Sequence, residues 1–260
     1  MQKKPIIIIA VLSVLALGLG YWYGLPKEGS GGGGGKKEPA FLKKGLMAYY
    51  PFNGNAKDGS GNDYNGTQKG GVTYVQDRFG KSSSACSFDG TDDYIHVDKP
   101  LDLIDANNCT ISAWFTDGLN VQIQGGAMGE NSNSMSISSN GIFWYANGDA
   151  GLLRTSPDCP NCWKLTSKVG LGNGWRHVVG TWKRKGANIV VKLFINGEAI
   201  QSATSGLLIR PTLTSTDYTI MGTTSWGKNY TGGELDDFRI YDRALSDAEV
   251  KELYEFEKAK

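Results

Sequence analysis

The sequence predicts an all-β protein, a two-sheet antiparallel jelly-roll sandwich preceded by an apolar N-terminal segment and followed by a short helix. Three observations predict this fold. Glycine supplies 36 of 260 residues and aromatic residues 11%, whereas charged residues make up only 20%, a composition typical of turn-rich β proteins. From residue 41 onward, short β-rich runs alternate with clusters of Gly, Asn, Asp and Ser. No unit of about 20–50 residues repeats, which argues against propellers and solenoids.

The charge and histidine content exclude two classes of function. The chain has 27 Lys plus Arg against 26 Asp plus Glu, a net charge of +1, so we expect no nucleic-acid partner. Its two histidines, His96 and His177, cannot build an HExxH metalloenzyme site.

The N-terminal segment has the length and composition of a membrane helix. Residues 5–26 carry no charge and would span roughly 33 Å as a helix. Aromatic residues 21–23 lie where an interfacial belt is expected, and Lys3 and Lys4 favour a cytoplasmic N-terminus. The alternative is a cleaved signal peptide that ends near Gly18.

These observations divide the chain into three parts. Residues 1–26 are predicted to be the signal anchor or signal peptide, and residues 27–40 are a glycine-rich, flexible linker. Residues 41–260 form the sandwich domain. Both interpretations of the N-terminus export this domain, either anchored in the membrane at the cell surface or in the periplasm, or secreted if the signal is cleaved.

Alternating or β-branched runs predict the strands in order. They cover residues 46–52, 110–115, 177–182, 189–195, 198–201, 218–222 and 235–241. In the second run, Ile111, Ala113 and Phe115 share the core face, and Trp114 lies on the other face. Asn196-Gly197 predicts a two-residue hairpin, because both central positions of a type I′ turn need positive φ.

The C-terminal residues predict a helix. Ser246 is the N-cap with Glu249 completing a capping box, and Leu245 packs on Val250 as a hydrophobic staple. We expect the helix to pack on the sandwich edge through one apolar side, made of Val250, Leu253, Tyr254 and Phe256.

Several motifs resemble those of one family. They are GLMAYYPF at 45–52, DGSGNDYNG at 58–66, SFDG at 87–90 with DYI at 93–95, TISAW at 110–114, WRHVV at 175–179, LFING at 193–197 and GELDDFRIYDRALS at 233–246. In this order and spacing they resemble the laminin-G-like jelly-roll family of the concanavalin-A-like lectin/glucanase superfamily. The resemblance implies one concave sheet and the binding of glycans or proteins outside the cell. Because this fold also carries glycosidases, it does not fix a ligand.

The loop at residues 58–65 offers several oxygen donors of the kind Ca²⁺ prefers. The resemblance implies a structural calcium ion in this loop. Its predicted ligands are Asp58, carbonyls near Gly61 and Asn62, and Asp236, with Asp237 as a substitute. The alternative is a turn held by Asx hydrogen bonds, with both later aspartates exposed.

The last predicted strand, at residues 235–241, indicates whether the protein can be a glycosidase. It begins like the Glu-x-Asp-x-x-Glu strand of the glucanase relatives, but Phe238 and Arg239 stand where the second glutamate should be. A retaining glycosidase needs two carboxylates. We therefore predict no catalytic residues and no enzyme, with a glycoside hydrolase as the minority alternative.

Loop aromatics are the candidate sugar platforms, because the apolar face of a pyranose stacks on Trp or Tyr. The candidates are Trp144, Tyr145, Trp163, Trp226 and Tyr230. Packing within the domain is the alternative for each of them.

Four cysteines in an exported domain favour disulfides. Of the three possible connectivities, we predict Cys86 to Cys109 and Cys159 to Cys162.

The sequence thus predicts a non-catalytic, membrane-tethered, lectin-like module that binds carbohydrate and contains structural Ca²⁺. The main alternative is an adhesion or structural envelope protein whose sandwich face binds another protein.

Overall fold

The structure is a computed structural model that describes residues 38–99, 108–116, 120–125, 133–138, 141–145, 162–166, 174–205, 218–223 and 230–260. All of them belong to one compact unit, Lys36–Lys260. Among them, no helix has the length and apolar character needed to cross a bilayer. The predicted anchor at residues 1–26 and most of the linker lie outside the described residues, so both stay predictions.

The elements follow one another as a short 3₁₀ turn, fifteen described strands and one described α-helix. Their bounds are the 3₁₀ turn Ala40–Lys43, β1 Leu46–Tyr50, β2 Thr67–Lys69, β3 Thr73–Val75, β4 Ala85–Asp89, β5 Tyr94–Val97, β6 Asn108–Phe115, β7 Asn120–Gly125, β8 Asn133–Ser138, β9 Gly141–Tyr145, β10 Cys162–Thr166, β11 Arg176–Lys185, β12 Asn188–Ile195, β13 Glu198–Ser205, β14 Tyr218–Met221, β15 Gly232–Tyr241 and α1 Asp247–Glu257.

Within the described residues the strands form two sheets, and every pairing is antiparallel. Sheet A has the order β13-β12-β11-β6-β15-β4-β3, with β1 added beside β15. Sheet B has the order β10-β9-β8-β7-β14-β5-β2. The prediction of an antiparallel β-sandwich with a short C-terminal helix is confirmed.

Two local predictions are also confirmed. Asn196 and Gly197 turn between β12 and β13 with φ of 51° and 79°. The Ser246 side chain accepts a hydrogen bond from the backbone N–H of Glu249, and the Glu249 side chain accepts one from the backbone N–H of Ser246. Both features depend on neighbours in the chain, which is why the sequence predicts them well.

The main core fills the space between the sheets. Alternate residues of β6, namely Ile111, Ala113 and Phe115, enter this core as predicted, together with the fully buried Trp182 and Phe238. The intervening residues of the same strands face outward from sheet A.

The helix α1 covers that outer face. Val250 and Leu253 pack on Val179 of β11 and Tyr241 of β15 in a second buried cluster. Because β11, β6 and β15 are adjacent strands inside sheet A, the predicted position at the sandwich edge is wrong. The helix lies across the middle of the sheet, where the outward residues are apolar enough to bury it.

The predicted disulfide between Cys86 and Cys109 is wrong. Within the described part of sheet A, Cys86 pairs with Leu235, whose other neighbour is Phe115 at the far end of β6 from Cys109. Residues 109–115 span about 20 Å along that strand, whereas a disulfide needs Cα atoms within about 7 Å. Both side chains are buried thiols. The second bridge, Cys159–Cys162, stays a prediction because residue 159 lies outside the described residues.

Candidate functional site

The candidate site begins with a β-bulge in β15. The register against β6 shifts between Asp236 and Arg239, and Asp237 has a φ of 46°. A regular strand would send consecutive side chains to opposite faces, but a bulge re-aims them. The carboxylates of Asp236 and Asp237 therefore reach the same guanidinium, that of Arg78.

The bulge also marks a change of neighbour along β15. Residues 232–235 pair with β4, and residues 238–241 pair with β1. The two neighbours lie on the same side of β15, because β6 occupies the other side. The interval between them is the place where Arg78, from the turn after β3, reaches the bulge.

Arg78 is the central cation of the site. Its Nη1 bonds Asp236, and its Nη2 donates to Asp237 at 2.7 Å and to the carbonyl of Glu257 at 2.9 Å. The guanidinium carbon lies 4.3 Å from the ring centre of Trp114 and 4.6 Å from that of Phe79. The Arg78 side chain is only 5% exposed, because the two aromatic rings and the three oxygen acceptors enclose its guanidinium.

Glu257, the last residue of α1, links the helix to this network. Its side chain is fully buried; one oxygen accepts from Trp114 Nε1 at 2.8 Å and the other from Arg239 Nε at 2.7 Å. Glu257 was not predicted to be a site residue, because apolar periodicity takes no account of a buried carboxylate. Arg239 on the last predicted strand was the available signal, because a buried guanidinium needs a partner of opposite charge.

A cleft of about 240 Å³ opens above the bulge, and we call it the bulge cleft. Its lining comprises Tyr49, Pro51, Asn53, Asp77, Arg78, Phe79, Lys81, Ser84, Asp236, Asp237 and Lys260. Phe79 is 45% exposed at this cleft, which makes it an accessible aromatic ring beside polar groups. The volume is below the roughly 300–1,000 Å³ of pockets for drug-sized ligands, so the cleft suits about one sugar ring.

The two aspartates of the bulge have opposite pKa shifts. Burial, together with the charge of Asp237, raises the pKa of Asp236 to about 8. Burial would also raise the pKa of Asp237, but the positive charges of Lys260, Arg239 and Arg78 outweigh it and hold that pKa below its usual range. Asp237 is therefore the carboxylate that stays ionised and attracts cations.

The position expected for a second catalytic glutamate holds no carboxylate. Phe238 packs in the main core, and Arg239 bonds Glu257. Asp236 and Asp237 are both engaged by Arg78, an arrangement that holds them together instead of on either side of a scissile bond.

The loop residues predicted to ligate calcium make hydrogen bonds to neighbouring backbone groups. The Asp58 carboxylate accepts hydrogen bonds from the backbone N–H groups of Tyr49, Ser60 and Tyr64 and from the Ser60 hydroxyl, at 2.8–3.0 Å. Asn62 donates its amide to the carbonyls of residues 46 and 47. These bonds match the Asx turn of the alternative prediction, but its other half is wrong, because Asp236 and Asp237 are buried and not exposed.

The two halves of the predicted ligand set have separate hydrogen-bond partners. The oxygens of Asp58 are already used, Gly61 lies in the same turn with a φ of 91°, and Asp236 and Asp237 bond Arg78. In the described ranges, the group of three acidic side chains whose oxygens all lie within 4.8 Å of one another is Asp89, Asp92 and Asp93. Asp93 in turn accepts bonds from the backbone of Gly71 and Asp89.

Calcium binding at Asp58 therefore stays a prediction that this geometry does not favour. We expect the melting temperature of the full chain in excess Ca²⁺ and in excess EDTA to differ by less than about 2 °C, which is under about 1 kcal/mol for a domain of this size. A larger stabilisation by Ca²⁺ that disappears in Asp58→Asn would contradict this expectation and restore the calcium site.

Three of the predicted aromatic platforms lie on neighbouring strands of sheet B. Trp144 and Tyr145 are in β9, and Trp163 of β10 is the paired residue of Trp144. A role for these three residues in sugar binding stays a prediction.

The other two predicted platforms are apart from this group. Tyr230 is half-buried, and its ring centre lies 6.2 Å from that of Tyr94. Trp226 lies outside the described residues. The accessible aromatic ring at the bulge cleft is Phe79, which the sequence analysis did not single out.

The fold defines the class of this protein, a jelly-roll sandwich, and a small polar cleft lies beside one sheet. A laminin G model, described as concanavalin A-like lectin/glucanases superfamily, matches residues 89–251, more than half of the chain. The chain therefore belongs to the concanavalin-A-like lectin/glucanase superfamily, as its motifs predicted. A search of curated protein sequences finds no match.

Solved structures resemble the chain in fold. Domain 4 of AbnA, an extracellular GH43 arabinanase from Geobacillus stearothermophilus in complex with arabinotriose, aligns with a TM-score of 0.58 and 22% identity, over 80% of this chain and 98% of that one. The receptor-binding domain of the botulinum neurotoxin C/D mosaic serotype aligns with a TM-score of 0.57 and 19% identity. That alignment covers 82% of this chain and 51% of the toxin domain, so the chain spans about half of it.

Proposed function

We propose that the chain is a non-catalytic carbohydrate-binding module, displayed outside the cytoplasmic membrane by an anchor within residues 1–26. The bulge cleft is the binding site. The observation that carries the proposal is the exposed ring of Phe79 in a cleft that is lined mainly by polar and charged side chains.

This lining has the chemistry that a sugar requires. Phe79 offers an apolar surface for the C–H face of a pyranose or furanose ring. Asn53, Asp77 and Lys81 provide donors and acceptors for hydroxyl groups on the same cleft. Arg78 bonds both Asp236 and Asp237. This arrangement supports a role of the cleft in binding a sugar over a role in cleaving one.

The structural relatives support the same class of ligand. One of them was solved with arabinotriose, and it is aligned over nearly its whole length. The toxin receptor-binding domains favour a second candidate, a protein partner, which the experiment below also tests.

The test is a glycan array, including arabino-oligosaccharides, probed with the full chain and with Phe79→Ala. We expect binding that Phe79→Ala weakens about tenfold, equivalent to about 1.4 kcal/mol, because the stacking surface is lost. Ile200→Ala is the matched control, since Ile200 is a second exposed apolar side chain, 38% exposed, on β13.

Two outcomes would contradict the proposal. If no glycan binds while the melting temperature shows a folded domain, the protein-partner function replaces it. If glycans bind and both variants bind as tightly as the wild type, the site lies elsewhere on the molecule, with Tyr145 and Trp163 as the next positions to change.

A further inference from the structure

The bulge cleft already contains an ammonium group, that of Lys260. Its Nζ donates to Asp237 Oδ1 at 2.6 Å and to the Tyr49 hydroxyl at 3.2 Å. The same nitrogen lies 5.6 Å from the ring centre of Tyr49 and 5.7 Å from that of Phe256. A carboxylate, a phenol oxygen and two aromatic rings are the groups that recognise an ammonium ion.

Lys260 differs from the other cations around Asp237. The side chains of Arg78 and Arg239 are 5% and 2% exposed, and each is held by further contacts to Glu257. The Lys260 side chain is 29% exposed, and the residue lies beyond the end of α1. Of these three cations, Lys260 is therefore the one that can leave without breaking the buried network.

Lys260 is the closest cation to Oδ1 of Asp237, while Arg78 bonds Oδ2. The Asp237 carboxylate is only 5% exposed, so losing the charge beside Oδ1 would leave a buried anion less well compensated. A ligand that replaces Lys260 keeps this compensation only if it brings its own positive charge. Phe79 and Asn53 line the same cleft, where a ring attached to that charge would contact them.

We propose that the bulge cleft binds amino sugars, and that Lys260 holds the position of the sugar ammonium until the ligand displaces it. This inference rests on the proposed function, because it specifies the class of carbohydrate. The ammonium of the ligand takes the place of Lys260 Nζ on Asp237 and Tyr49, and the ring packs against Phe79.

The experiment is calorimetric titration of the full chain with a glucosamine oligomer and with its N-acetylated counterpart. In Lys260→Ala, we expect roughly fivefold tighter binding of the amine-bearing oligomer, because the internal competitor is gone. That change corresponds to about 1 kcal/mol, the strength of a partly exposed ion pair. The affinity for the N-acetylated oligomer should change less than twofold.

Lys258→Ala is the matched control. Lys258 lies at the same end of α1, but its ammonium bonds Glu255 at 2.7 Å and not the cleft, so its removal should leave both affinities as in the wild type. Adding Tyr49→Phe to Lys260→Ala removes one acceptor of the ammonium while keeping the ring. The preference for the amine over the N-acetylated oligomer should then fall.

The possible failures can be told apart. Equal gains for the two oligomers in Lys260→Ala would overturn the amino-sugar inference and leave carbohydrate binding intact. Butylamine binding as tightly as the glucosamine oligomer would show that the cleft selects an ammonium without a sugar, which also overturns it. If neither oligomer binds and other glycans fail on the array, the proposed function itself is wrong.

Discussion

Replacing Glu257 with glutamine should lower the free energy of unfolding by about 3 kcal/mol. The carboxylate accepts hydrogen bonds from Trp114 Nε1 and Arg239 Nε in a site closed to solvent. Glutamine has one acceptor oxygen, and its amide group would face a second donor. The guanidinium of Arg239 would also lose its closest carboxylate while remaining buried.

Urea denaturation measures this effect, and Glu252→Gln is the control. Glu252 lies on the exposed side of the same helix, so its substitution should change the free energy of unfolding by less than about 0.5 kcal/mol. A loss in Glu257→Gln no larger than in Glu252→Gln would show that α1 is held by its apolar contacts alone.

The stability of the fold should fall in acid because of His177. The imidazole is fully buried, its Nε2 lies 2.8 Å from Ser112 Oγ, and the ring of Trp114 is 5.2 Å away. Burial, followed by the charge of Arg78, lowers the pKa of His177 to about 3. An unfolded histidine has a pKa of about 6.5.

The sign follows from proton counting. Between about pH 6.5 and about pH 3, the unfolded chain binds a proton at residue 177 and the folded chain does not, so lowering the pH favours unfolding. The contribution approaches 1.4 kcal/mol per pH unit, or about 3 kcal/mol between pH 7 and pH 4.5. His177→Gln should therefore lose that much less stability than the wild type over this range.

His96→Gln provides the comparison for urea denaturation at the two pH values. His96 is 28% exposed, and its Nδ1 lies 2.9 Å from Asp98. This variant should keep the pH dependence of the wild type. If His177→Gln loses as much stability in acid as His96→Gln does, the acid sensitivity arises from other groups.

The sequence predicted those parts of the fold that depend on near neighbours. The Asn196-Gly197 turn and the Ser246 cap each rest on contacts within a few residues, and both agree with the structure. The strands of sheet B between residues 120 and 166 were not predicted. The run NSMSIS in β8 has a single β-branched residue among serines and is a weak strand signal, whereas GIFWY in β9 is a strong one whose aromatics were assigned to a loop.

The candidate site was only partly predictable for a physical reason. Asp236 and Asp237 were predicted to be site residues, but their predicted role was that of calcium ligands. Their actual partner, Arg78, is separated from them by more than 150 residues of sequence. A pair of acids on a buried strand implies a cation, but sequence spacing does not say which cation reaches it.

The way β1 lies along β15 has a mechanical consequence. The ladder runs from Leu46 opposite Tyr241 to Tyr50 opposite Phe238, next to the bulge. A pull between the linker, which leads into β1, and a ligand in the bulge cleft would act along the strand. Inter-strand hydrogen bonds are perpendicular to that direction, so the load is shared by all of them at once and they are not opened one by one. The domain should therefore resist unfolding under such a load better than its equilibrium stability alone implies.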